Sequence, residues 1–82
     1  MIMPPLPKPG DKLVKYNNPN GNYEYVGYAL GALREEEVIV YKNLDSNMLY
    51  ILSVEEFIED VSAKPNNKTG QKYRFVVGRS SL

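Results

Sequence analysis

Apolar and polar residues alternate with a period of two over most of the 82-residue chain, the spacing that a half-buried strand requires. KLVKY, from Lys12 to Tyr16, predicts a first short strand. NNPNG follows with a proline and an Asn-Gly pair, residues that accept the positive φ of a tight hairpin, so the first turn is expected there. NYEYVGYALGAL then reads as a longer strand. Its alternation sends Tyr23, Tyr25, Gly27 and Ala29 to one side and Glu24, Val26, Tyr28 and Leu30 to the other. Gly27 and Gly31 inside it mark bends or close backbone approach. REEE, from Arg34 to Glu37, is a charged break between strands. VIVYKNL is β-branched and aromatic through its centre, DSN turns the chain, and MLYIL is a further strand.

The period then changes. In SVEEFIEDV, Ser53 precedes Glu56 by three residues as a capping box does, and Val54, Phe57, Ile58 and Val61 recur at helical spacing. A short helix near residues 54–60 is expected, its first turn carrying Glu55 and Glu56 where the helix dipole favours acids. SAKPNNKTGQK is a polar loop, YRFVVG a closing strand, and RSSL a loose tail. Before the first strand, Pro4, Pro5, Pro7 and Pro9 fix φ and remove backbone donors, which predicts an extended proline-rich arm ending at Gly10-Asp11. The chain thus divides into an arm over 1–11, one small β domain over 12–78 and a tail over 79–82. About five strands and one short helix in so few residues predict a mainly β fold, a bent sheet or small barrel.

Size sharpens this picture. So short a chain buries little core, and without cysteine or histidine it lacks the disulfides and zinc that support mini-domains, which leaves oligomerisation. A homo-oligomer is therefore expected. The absence of cysteine suits a reducing compartment, the opening MIMPPLPKPG lacks the form of a signal peptide, and no apolar run reaches membrane-spanning length. A cytoplasmic location follows as the expectation.

The formal net charge is zero but segregated. Nine acids face two bases between residues 16 and 60, whereas Lys64, Lys68, Lys72, Arg74 and Arg79 meet no acid beyond residue 60. Either the basic end folds against the acidic middle or it forms an anion-binding face. A neutral whole argues against a protein that simply coats duplex nucleic acid. With no histidine, no cysteine nucleophile and no glycine-rich phosphate loop, catalysis is not expected, nor is a metal or other cofactor.

Several pieces together carry a resemblance: Pro9-Gly10 leading to Tyr16, NYEYVGYA, EEVIVYKNL, LYILSVEEFIEDV, and Gly70 with Arg74 and Phe75. From KPG to YRF the chain resembles the bacterial and phage domain-of-unknown-function family sixteen fifty-three, compact SH3-like β proteins. Where that family has tryptophan, arginine and proline before its helix, this chain has Tyr50, Leu52 and Ser53, and VKYNN stands for its histidine-tyrosine-lysine segment. The resemblance implies an SH3-like fold and, through the family's phage occurrence, a host-cytoplasmic setting.

Two binding functions remain. In the first, an oligomer holds a small anionic, nucleotide-like ligand, as a phage anti-defence sponge would. Tyr16, Tyr28 and Tyr50 supply stacking surface, and Arg34, Lys42, Arg74 and Arg79 supply charge for phosphate. In the second, an SH3-like groove takes an extended segment of a partner protein. Tyr23, Tyr25 and Tyr41 are expected in the core, and Arg74 is expected to pair with an acid of the helix.

Overall fold

The computed structural model describes residues 6–78. Five antiparallel strands form one sheet: β1 (Lys12–Lys15), β2 (Asn18–Leu30), β3 (Glu37–Asn43), β4 (Met48–Ser53) and β5 (Phe75–Val77). Their order is β4-β3-β2-β1-β5, so β4 and β5 are the two edges. Of the two forms expected, this is the bent sheet. Pro4 and Pro5 of the expected arm lie outside the described residues. Its base is tied down: Pro7 is buried, Gly10 N–H donates to the Tyr25 carbonyl at 2.9 Å, and Tyr25 N–H donates to the Asp11 carbonyl at 2.8 Å. Gly10 makes that corner at φ 93°, a conformation open to glycine at little cost.

The first hairpin turns earlier than its sequence predicts. Lys15 pairs with Asn18, which places the turn at Tyr16-Asn17 and puts Pro19, Asn20 and Gly21 inside β2. The register then shifts, so that Leu13 faces Tyr23 and Lys12 faces Glu24. The extra β2 residues let the Asn18 amide reach back and donate to the Tyr23 hydroxyl at 2.9 Å. The Tyr23 ring lies across Gly21, and a Cβ there would meet both that ring and the Asn18 amide nitrogen, the latter at 2.8 Å.

A second irregularity corrects the expected alternation. Tyr25 pairs with Tyr41, but Gly27 pairs with Val40 and Tyr28 with Ile39, leaving Val26 as an extra residue. Directly opposed residues share a face of the sheet, and Ile39 and Tyr41 share theirs. Tyr28 therefore lies on the same face as Tyr25, where uninterrupted alternation would have sent it to the other.

That face carries the core. Leu13, Tyr23, Tyr25, Ile39, Tyr41 and Phe75 from the sheet meet Phe57, with Leu52, Val54 and Ile58 packed against them. Tyr41 is central: its ring centroid lies 4.7 Å from Phe75, 5.9 Å from Tyr23 in an edge contact, and 5.4 Å from Tyr50 in a near-parallel stack. Such pairs add about 0.5–1.5 kcal/mol beyond the area they bury.

The helix is shorter than its apolar spacing predicts. α1 (Val54–Phe57) is one turn, opened by a complete capping box between Ser53 and Glu56. It ends at Ile58, and Asp60 then bridges to Tyr73. Val61 beside it is fully buried, and its N–H donates to the Lys72 carbonyl at 2.7 Å. The polar loop that follows is ordered by two side-chain amides. Asn67 donates to the carbonyls of Val61 and Gln71, and the Gln71 amide lies within hydrogen-bonding distance of the carbonyls of Val14, Tyr73 and Arg74. The closing strand is correspondingly short, Phe75–Val77.

Gly21→Ala should lower unfolding stability by about 1–3 kcal/mol in a denaturant titration, since it overpacks a buried ring. Gly27→Ala, whose Cβ would meet no neighbour, should stay within about 1 kcal/mol of the parent.

Candidate binding groove

The loop between β2 and β3 is built by two backbone hydrogen bonds. Glu35 N–H donates to the Gly31 carbonyl at 2.8 Å, and Gly31 N–H donates to the Glu36 carbonyl at 2.7 Å. Glu35 occupies the left-handed region at φ 52°. This tight tip gathers Glu35, Glu36 and Glu37 at one end of the sheet. The pairing of Val38 with Ser53 brings the junction of β4 and α1 to the same end. Between tip and junction lies an open groove of about 690 Å³, lined by Leu30, Glu35, Glu36, Glu37, Ser53, Val54 and Glu55. Four of its seven lining residues are glutamates and none is basic. Like charges crowded beside low-dielectric walls create a negative potential that attracts cations.

Tyr28 does not line the groove but touches one of the glutamates that does. It is half exposed, and its hydroxyl donates to a Glu37 carboxylate oxygen at 2.5 Å. That hydrogen bond, with smaller contributions from burial and the Glu37 charge, holds the phenol above its ordinary range. The other rim is fixed by the capping box. Ser53 Oγ accepts from Glu56 N–H at 3.1 Å, and Glu56 Oε1 accepts from Ser53 N–H at 3.2 Å. The Ser53 N–H and, at 3.1 Å, the Ser53 hydroxyl both lie against Glu56 Oε1, and these two bonds hold the Glu56 carboxyl below the usual carboxylate range.

The other sequence-predicted site residues are dispersed. Tyr16 is buried in the first turn, with the Arg74 guanidinium 5.5 Å from its ring centroid. Arg74 also donates to the Glu56 carbonyl at 3.3 Å and to one Glu59 carboxylate oxygen, while Lys64 approaches the other at 3.6 Å. The basic end thus folds against the acidic middle, and Arg74 pairs with an acid just beyond α1, as expected. Arg34 is exposed on the tip next to the three glutamates but does not line the groove. Lys42 stands opposite Glu24 on the face away from the core. Tyr50 keeps one side of its ring on Tyr41 and is 42% exposed. Arg79 lies outside the described residues.

In the sequence Glu35–Glu37 form a charged break and Val54 belongs to the helical apolar spacing, so nothing there joins them to Leu30 and Glu55 except, for the glutamates, the acidic bias of the middle segment. Among the described residues, no group of three or more potential ligands is placed to hold a metal ion, and no helix is long and apolar enough to cross a membrane. No protein-family model, curated protein or solved structure matches the chain.

The capping box has a pH signature. Because the Glu56 carboxyl sits below its unfolded value, its contribution is complete above that value and is lost as pH falls through the folded one. Ser53→Ala should cost about 1 kcal/mol at neutral pH. Chemical unfolding at a series of acid pH values should show that gap narrowing as Glu56 becomes protonated.

Proposed function

We propose that the protein is a non-catalytic interaction module, acting as a homo-oligomer, whose groove receives an extended, lysine- or arginine-bearing segment of a partner protein. The observation that carries this reading is the groove lining: four glutamates set beside Leu30 and Val54, with no base among them. A lysine or arginine side chain suits that mixture. Its methylenes can cover the apolar pair while its head meets carboxylates. Tyr28, fixed by Glu37, adds an aromatic face next to that glutamate for cation or proline contact. Several such grooves in one oligomer would raise the avidity for a repetitive partner. The family resemblance to SH3-like proteins agrees with a groove of this kind, and a cysteine-free chain suits the cytoplasm.

The second reading is an oligomer that takes up a small anionic, nucleotide-like ligand. It draws support from Tyr50, whose outer ring face is open to stacking. The engagement of Arg74 with Glu59, and the place of Arg34 among glutamates, weigh toward the cationic partner instead.

Fluorescence anisotropy with a lysine-rich extended peptide separates the two. The basic peptide should bind, weaken with added salt, and be discriminated from an acidic peptide of equal length. An exposed ion pair is worth about 0.2–1 kcal/mol, so the double variant Glu36→Gln, Glu55→Gln should weaken binding roughly two- to thirtyfold. Indifference to both peptides, with a nucleotide raising the thermal midpoint, would favour the second reading.

A further inference from the structure

Among the described residues, the strand β4 is an edge without the usual defences. It pairs with β3 in an unbroken register from Val38 opposite Ser53 to Asn43 opposite Met48, with no bulge to twist it away. Its sequence, MLYILS, holds no lysine, no proline and no charge of any kind. Natural edges are blunted by just those features, or by being very short. The opposite edge, β5, is short: three residues, directly preceded by Arg74.

The side chains of β4 are also bare. Met48 is 56% exposed, Leu49 60%, Tyr50 42% and Ile51 72%, although α1 packs beneath the end of the strand. Residues of this size at those fractions leave on the order of 450 Å² open per copy. Pairing two copies through this edge would screen the parts of these side chains that overhang the seam and give partners to the backbone groups of both strands.

We infer that β4 is the self-association surface of this protein, two copies pairing their β4 strands antiparallel across a twofold axis into one continuous ten-stranded sheet. A second copy suits this edge better than a foreign strand for an electrostatic reason. In an antiparallel twofold pair residues of the same strand meet across the axis, so like charges on it would be brought close together. A neutral apolar strand pays no such penalty, and its unpaired backbone N–H and C=O groups find partners in its twin. The pairing also supplies burial that a core of this size lacks. The inference rests on the oligomeric part of the proposed function and is independent of the groove.

Sedimentation velocity over a concentration series should show a dimer for the parent chain and a monomer for Ile51→Lys. Circular dichroism should show the variant folded, since it changes an exposed side chain. The chain has no cysteine, which permits a second test that does not depend on that variant. Single cysteines placed in turn at Met48, Leu49, Tyr50 and Ile51 should include at least one that forms a covalent dimer with oxidised glutathione, whereas Val77→Cys on the other edge should not. A parent chain that stays monomeric throughout overturns the inference, as does a dimer that persists in Ile51→Lys or that cross-links only through Val77→Cys. Peptide binding measured on Ile51→Lys keeps the two proposals apart: its survival in a monomer upholds the groove, and its loss alone leaves the interface standing.

Discussion

Tyrosine rings make up much of this core, and a buried tyrosine must keep its hydroxyl on a partner or in water. Tyr23, Tyr25 and Tyr41 therefore pack on one face of a single sheet beside Phe57 and Phe75. Tyr23 meets the requirement through Asn18, and this sets the geometry of the first hairpin. The chain must make an excursion long enough to bring the Asn18 amide back, and Gly21 must lack a side chain because the ring lies across it. Phe57 reaches the core from one helical turn, and the ordered loop after Val61 keeps that side chain buried. What this small cover leaves outside is informative: the glutamate-bearing tip of the β2–β3 hairpin and β4 from Met48 to Ile51.

Those two open surfaces meet at one residue. Ser53 ends β4, caps α1 and lines the groove. Its capping box fixes the direction in which the chain leaves the sheet, which sets Val54 and Glu55 across from Glu35–Glu37. Assembly along β4 would leave the groove at the end of the sheet, on the side of the β2–β3 tip, so each copy could still present it. The charge distribution agrees with this division of labour. Arg74 and Lys64 are drawn to Glu59. The acids of the tip keep no basic neighbour in the groove lining.

Much of the fold was legible in the residues. Alternation located the strands, and the Ser53–Glu56 spacing located the cap. What escaped was whatever depends on pairing. The extra residue at Val26 interrupts the alternation without a mark of its own beyond Gly27, and it moved Tyr28 to the other face. The Asn-Gly pair promised a turn that Tyr16-Asn17 makes instead, because the Asn18–Tyr23 hydrogen bond draws the residues between into β2. The helical spacing through Val61 was real, but the Asp60–Tyr73 bridge ended the helix after Phe57. The site was less legible. Three consecutive glutamates look like a solvated tip until Glu55, distant in sequence, is brought opposite them by the pairing of β3 with β4.

The central claim is that recognition takes place in the acidic groove. The most direct test is an amide chemical-shift titration of the isotopically labelled protein with a lysine-rich peptide. Perturbations are expected at Leu30, at Glu35–Glu37 and at Ser53–Glu55, with Tyr28 following. Perturbations centred instead on Tyr50, Lys15 and Arg74, or an unperturbed spectrum at saturating peptide, would contradict it.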